Sequence, residues 1–366
     1  MTKNLKIFVD CHVFDEGFQG TTTYIKGLYQ ELIKDKNKHF FLASNDIAII
    51  KNIFGEAENI HYLSYLSPNK FYRLLFDIPR LIKKHKIDYA HFQYIVPPIK
   101  HCKYINTIHD VLFLDYPEYF PLLYRIKNKF LFKWSANFSD VVLTVSEFSK
   151  QRIQHHFGTK AITITPNAVD TVFFEPYDKG AIQKQVQSQY NLKNYWICIS
   201  RWEPRKNHHF ILEAFIQNKH YEKYQLVFVG DKAIPNPKFN MLYEGLSKEI
   251  KDQIIILNKV NFTDLLLLLR GASLSVYPSV AEGFGIPPLE AVAAQVQSIC
   301  ANTTAMSDFH FFKFTLFGPF DLADLKNKIE WALNHPVNPE LSKIVSQKYN
   351  WKSSASGFLK ALNHLS

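Results

Sequence analysis

No run in this sequence is apolar enough to cross a membrane. A bilayer needs roughly 18–20 consecutive apolar residues. The leucines at 265–269 sit between Asp264 and Arg270 and read as part of a buried helix. The opening residues, MTKNLKIFVD, hold too short an apolar segment for a secretory signal and read as a first strand. These absences predict a cytoplasmic protein. Cysteine is sparse as well. Cys11, Cys102, Cys198 and Cys300 lie far apart with no Cys-x-x-Cys pair, which argues against a zinc site and a disulfide framework and favours reduced core thiols.

What is present has globular composition: 47% apolar, 21% charged, with 31 Phe and 19 Tyr, which excludes disorder. A chain of 366 residues exceeds one ordinary core and suits two domains of roughly 150–200 residues each. The formal net charge is +10, and much of it lies between Lys70 and Trp134, where 12 Lys/Arg stand against 5 Asp/Glu. Two clusters hold it, RLIKKHKID (80–88) and YRIKNKFLFKW (124–134). In the second, Arg125, Lys127, Lys129 and Lys133 alternate with large apolar residues. That mixture suits an anionic membrane surface, and equally a solvated helix whose other face lies in the core. Nucleic acid is not expected, because no recognised binding motif accompanies the charge.

Short apolar runs alternate with longer amphipathic ones. Strands are expected at 5–10, 40–44, 60–64, 89–93, 104–110, 141–146 and 162–166, with helices at 22–33, 70–85, 120–137 and 147–156. The stretch 167–180 has no clear period and reads as a linker. The rhythm then restarts, with strands at 196–200, 225–230, 253–258, 273–279 and 297–302 and helices near 207–218, 239–251, 263–270 and 288–294. Such alternation predicts an α/β fold of two Rossmann-like domains, each a parallel sheet covered on both faces. Ligands of such sheets bind at the carboxyl ends of the strands.

Two stretches carry chemistry at those ends. In SVYPSVAEGFGIPPLEAVAA (275–294), a strand runs into a loop with Glu282, Gly283, Phe284, Gly285 and Ile286, and Pro287 and Pro288 open a helix containing Glu290. The glycines let backbone approach a ligand, and a helix start favours anions. Carboxylates accept hydrogen bonds well from vicinal hydroxyls, so a sugar and a ribose are natural targets for the two glutamates. The plainer alternative is a helix whose Glu290 merely matches the dipole. In ISRWEPRKNHHFILEAF (199–215), Arg201, Arg205 and Lys206 lie between a strand end and a helix start, where a diphosphate would be gripped. A surface turn would use the same residues. No Asp-x-Asp triplet occurs, and these cations can balance a diphosphate's charge, so no metal and no cofactor are expected.

Together the two stretches resemble retaining glycosyltransferases of the GT-B fold, specifically glycosyltransferase family 4. Glu282 and Glu290 match the family's E-x7-E pattern, and 200–207 is similar to its G-R-x-x-P-R-K-N stretch. TIHDVLFLDYPEYF (107–120), TVSEFSKQRI (144–153), ITPNAVD (164–170) and DEGFQGTTTYIKGL (15–28) also resemble family segments. YNWKSSASGFLKAL (349–362) looks like its last helix. The resemblance implies an acceptor-binding domain at 1–170, a nucleotide-sugar domain at 171–348 facing it across a cleft, and a C-terminal helix, 349–366, crossing back. It further implies Glu282 on the donor sugar, Glu290 on the ribose, Arg201 and Lys206 with Arg205 on the diphosphate, and His109 near the reacting carbon. A core histidine at a strand end is the alternative for His109. Gly17 and Gly20 would leave room for phosphate or acceptor, or form a plain turn. After Glu290 the pattern departs: Gln295 and Gln297 stand where the family has glycine and proline, so this turn is expected to close differently.

The leading expectation is therefore a retaining, metal-independent hexosyltransferase. It would move sugar from a nucleotide-diphosphate donor to a glycan or lipid-linked acceptor, peripheral on the inner face of the cell membrane. A nucleotide-sugar epimerase and a non-catalytic partner of the same fold are the alternatives.

Overall fold

The computed structural model describes residues 4–15 and 20–363. The chain divides into two compact units, one running to Ala168 and regaining the chain from Tyr349 onward, the other Val169–Lys348. In the first, β1 (Leu5–Asp10), β2 (Lys38–Ser44), β3 (Ile60–Ser64), β4 (Tyr89–Gln93), β5 (Lys103–Thr107), β6 (Val141–Thr144) and β7 (Ile162–Ile164) form one sheet in the order β3-β2-β1-β4-β5-β6-β7. In the second, β8 (Tyr195–Ile199), β9 (Gln225–Val229), β10 (Ile254–Leu257), β11 (Leu274–Tyr277), β12 (Ser298–Ala301) and β13 (Leu316–Phe317) are ordered β10-β9-β8-β11-β12-β13. Neighbouring strands in both sheets pair in parallel.

These orders position the chemistry. The chain builds each sheet outward from its first strand, then returns to that strand's other side. The switch falls between β1 and β4 in one unit and between β8 and β11 in the other. Helices leave on opposite sides of such a junction, which opens a crevice at the strands' carboxyl ends. Beside the second junction, where the chain leaves β8 and β9, the backbones nearly touch. Gly230 has φ +153°, and a Cβ there would lie 2.0 Å from the Ser200 carbonyl oxygen, so only glycine fits.

The C-terminal helix Trp351–Asn363 belongs to the first unit. Trp351 lies against Gly27 and Tyr24, Phe358 against Tyr29 and His91, and the Ser354 hydroxyl donates to the Pro166 carbonyl at 2.7 Å. The expected helix at 70–85 is widened into a π turn at Arg73–Asp77, just ahead of Pro79. Proline lacks the N–H for the helical ladder and its ring crowds the preceding turn, so the backbone dilates there. The leucines of 266–269 are buried in helix Phe262–Gly271, and Cys11, Cys102, Cys198 and Cys300 are free thiols.

Two expectations need correction. The linker ends early: Asp170 caps a 3-10 turn at Thr171–Phe174, and Asp178 caps a helix at Lys179–Tyr190. That helix buries only Val186, so its sequence carries almost no apolar period. The helix expected near 239–251 is two, Pro237–Glu244 and Lys248–Lys251, the second restarted by a Ser247 cap. No helix among the described residues is long and apolar enough to cross a membrane.

Candidate functional site

Strand β8 ends at Ile199, and from Ser200 the chain folds back over the sheet edge. Pro204–Lys206 is a 3-10 turn closed by Asn207 in the left-handed region. The loop after β11 is laced to it: the Val280 N–H donates to the Arg205 carbonyl at 2.9 Å, and the Arg205 guanidinium donates to the Ala281 carbonyl at 2.7 Å. This lacing brings Glu282 onto the cations. Its Oε1 accepts from Lys206 Nζ, from the Tyr277 hydroxyl at 2.9 Å and from the Ser279 hydroxyl at 2.5 Å. Its Oε2 lies 3.3 Å from the Arg205 guanidinium. Arg205 also pairs with Glu203 at 2.8 Å, and Glu203 lies 3.7 Å from Arg201, whose side chain is 58% exposed.

Burial penalises the Glu282 carboxylate, but Lys206 and Arg205 outweigh it and hold its pKa at about 2. Burial also lowers Lys206, and there it wins over Glu282's attraction, because Arg205 repels the ammonium. One carboxylate faces two cations, whereas Lys206 shares its anion. Three cations against Glu203 and Glu282 leave the cluster net positive, which suits an anionic ligand. Glu282 is thus more engaged than the sequence implied: Oε1 is filled by this chain, and Oε2, beside Arg205, retains capacity to accept.

The glycine loop is packed from behind. Gly285 has φ +85°, and a Cβ there would meet Met306 at 2.7 Å. Phe284 is buried edge-on against Phe309, Gly283 is buried, and Ile286 opens the helix Pro287–Ala293 by accepting from Glu290 N at 3.1 Å. Glu290 is half-buried beyond this start. Burial, with Asp170 nearby, pushes its pKa up to about 7.

The turn after Glu290 does not close in a new way, contrary to the sequence-based expectation. Val296 N–H donates to Ala291 O at 2.9 Å and Gln295 N–H to Val292 O at 3.0 Å, while Gln295 takes φ +55°. This is the ordinary glycine-type helix stop, with glutamine bearing the left-handed strain of about 1 kcal/mol. Gln295→Gly should therefore raise the stability of this unit by about that amount, read as a rise in denaturant midpoint at unchanged slope. A fall in midpoint would refute the strain.

In the first unit His109 follows β5 and is buried. Its Nε2 lies 2.6 Å from Gln93 Oε1, with Tyr24 edge-on at 5.0 Å and Tyr94 at 5.4 Å. Gly20 is exposed as the first residue of helix Gly20–Leu32, and a Cβ there would meet nothing within 4 Å. Gly17 lies outside the described residues. Five participants were not singled out from sequence: Glu203, Tyr277, Ser279, Asp170 and Gln93. Glu203 lies inside the RWEPRK stretch, and the hydroxyls of Tyr277 and Ser279 precede Glu282 by five and three positions.

Paired parallel sheets of this order, with a C-terminal helix returned to the first unit, define a GT-B glycosyltransferase as the class. The family comparison narrows it. The model described as Glycosyltransferase Family 4 matches residues 18–173, and Glycosyl transferases group 1 matches 181–351. The chain belongs to the group 1 glycosyltransferases of family 4. It is 31% identical over 200 residues to the O-antigen chain mannosyltransferase RfbU of Salmonella typhimurium, covering 54% of this chain and 51% of that one. It is 30% identical over 209 residues to O-antigen chain mannosyltransferase B of Escherichia coli, covering 56% and 54%. The match thus spans about half the length of each relative. The sucrose-phosphate synthase of Thermosynechococcus elongatus shares the fold at TM-score 0.76 and 17% identity, over 99% of both chains.

Proposed function

We propose that this protein is a retaining hexosyltransferase that moves a sugar, mannose in the first instance, from a nucleotide-diphosphate donor to a glycan or lipid-linked acceptor of a surface polysaccharide. The observation that carries this reading is the net-positive cluster of Arg201, Arg205 and Lys206 around Glu282, laid across the carboxyl ends of β8 and β11. The exposed Arg201 and half-buried Arg205 meet the diphosphate, with Lys206 behind them. Glu282 Oε2 and Glu290 accept from the sugar and the ribose. The anomeric carbon exchanges its bond to the diphosphate oxygen for one to the acceptor oxygen, whose proton passes to the departing diphosphate. The chain's own cations neutralise the leaving group, so this scheme calls for no metal ion. His109 contacts the sugar near that carbon. Mannose rests on the two O-antigen relatives being mannosyltransferases. Incubation with labelled nucleotide sugars should give transfer or slow hydrolysis. Absence of both, with no donor binding, would refute the reading.

The same proposal places the enzyme on an anionic membrane. In helix Leu122–Phe138 the buried side is Asn128, Phe132, Ser135 and Ala136. Leu122, Ile126, Phe130 and Trp134, at four-residue spacing, form an exposed apolar stripe with Phe130 at 70%, and Leu123 beside it is 82% exposed. At 3.6 residues per turn, Lys129 and Lys133 flank this stripe on one side and Lys127 on the other. A merely solvated helix has no reason to turn that stripe outward. Phe71 and Phe76 add exposed apolar surface in the same unit. Sedimentation with anionic vesicles should capture the protein and release it as salt rises. Alanine at Lys127, Lys129 and Lys133 should cut the bound fraction severalfold, and undiminished binding would exclude this helix.

A further inference from the structure

His109 ends a continuous run of buried polar side chains in the first unit. Its Nε2 meets Gln93 Oε1 at 2.6 Å. The Gln93 amide nitrogen lies 3.1 Å from the Phe92 carbonyl and 3.3 Å from His91 Nε2. His91 Nε2 also meets the Thr107 hydroxyl at 2.8 Å, and His91 Nδ1 meets the Tyr29 hydroxyl at 2.8 Å. Tyr24 completes the set, bonded to Thr165 at 2.6 Å and edge-on to the His109 ring.

At Gln93 the donor and acceptor can be assigned in only one way. The Phe92 carbonyl only accepts, so the Gln93 group facing it must be the NH2. The opposite amide orientation would set two carbonyl oxygens against each other at 3.1 Å. Gln93 Oε1 then faces His109 and only accepts, so His109 Nε2 must carry a proton. Burial pushes both imidazoles down to about 3, so each is neutral near pH 7 and holds a single N–H. For His91 the second N–H of the Gln93 amide points at Nε2 at 3.3 Å, which favours the proton on Nδ1 toward Tyr29. The two histidines are therefore directed to opposite tautomers by one glutamine. Tyr24 and Tyr94 confine the His109 ring, so it cannot swing to a second partner.

We propose that Gln93 is a positioning residue that fixes His109 as its Nε2–H tautomer, leaving Nδ1 as the lone-pair nitrogen that accepts a hydrogen bond from a donor-sugar hydroxyl. The sugar contact rests on the proposed transferase reading, whereas the tautomer does not. A His109 with the proton on Nδ1 would set the Nε2 lone pair against those of Gln93 Oε1 at 2.6 Å, and it would present an N–H where the sugar hydroxyl presents its O–H. Without an acceptor at position 93 both tautomers become populated, and only one is productive.

The test uses the full chain labelled with 15N-histidine, with the His109 signal assigned by its loss in His109→Gln. Wild type without donor should show Nε2 protonated and Nδ1 bare. Gln93→Met keeps the apolar bulk and removes the acceptor. It should give a mixed or inverted His109 tautomer, with kcat down about ten- to a hundredfold and donor KM changed by less than about threefold. A wild-type His109 protonated at Nδ1 would overturn the proposal. So would a folded Gln93→Met protein with the wild-type tautomer, or one with an altered tautomer and unchanged kcat. A wild type with the expected tautomer that transfers no sugar would overturn the transferase reading instead, because the spectrum needs no donor.

Discussion

Glu282→Ala is expected to abolish measurable transfer and to lower the melting temperature by on the order of 10 °C. The two losses share one cause. Glu282 is the anion for both Lys206 and Arg205, and it also receives the Tyr277 and Ser279 hydroxyls. Removing it leaves a buried ammonium uncompensated, which costs about 3–5 kcal/mol, and for a unit of this size each kcal/mol shifts Tm by about 2–4 °C. Glu282→Gln should retain more stability, since the side-chain carbonyl still accepts, yet lose about 100-fold or more in kcat because the cation geometry relaxes. A double substitution, Glu282→Gln with Lys206→Met, removes both ends of the pair. It should recover much of the stability and none of the activity. Strictly additive melting shifts would show that the pair is not coupled. The pH dependence has a definite sign. The folded carboxylate titrates at about 2, below its ordinary 4.5, so its contribution is complete above about 4.5 and is lost as pH falls toward 2. The gap between wild type and Glu282→Gln should therefore shrink on acidification through that window and stay constant above it.

Most of the sheet scaffold was legible because parallel strands buried on both faces are short apolar runs separated by turns, and WICIS or QLVFV reads no other way. What stayed hidden lacked an apolar period. The helix Lys179–Tyr190 rests on one buried valine and two caps, and β13 is two residues long. At the site, the identities of the charged residues were readable from their spacing, but their pairing was not. Glu282 and Lys206 are 76 positions apart, and only the β8–β11 junction makes them neighbours. Gln295 shows the reverse error. A missing glycine predicted a different turn, whereas the hydrogen bonds of the ordinary helix stop proved strong enough to hold a glutamine at φ +55°. Gln93 carried no signal alone, since its meaning lies in the carbonyl and the two imidazoles around it.

Glu290 should behave oppositely to Glu282 in every respect that pH can reveal. Burial and the nearby Asp170 raise its pKa to about 7 from 4.5. Between those values the folded chain holds a proton the unfolded chain has lost, so stability falls as pH rises from about 4.5 to 7 and is flat above. Glu290→Gln removes that loss and should stabilise the protein by about 1–2 kcal/mol at pH 8, discounting for partial exposure, while leaving it unchanged near pH 4. If the carboxylate accepts from the ribose hydroxyls, as proposed, donor binding favours the ionised form. Donor affinity should then rise about tenfold from pH 6 to pH 8, with roughly half a proton released per donor bound near pH 7. Isothermal calorimetry in buffers of different ionisation enthalpy measures that release directly. Asp170→Asn keeps the cap on Val172, since asparagine accepts from that N–H equally well, but removes the repulsion, so the affinity profile should move to lower pH. A profile that is flat in wild type, or that persists in Glu290→Gln, would place the ribose elsewhere. The site thus sets one glutamate charged against two cations and holds the other near half-charge around pH 7, the state that the proposed donor contact would shift.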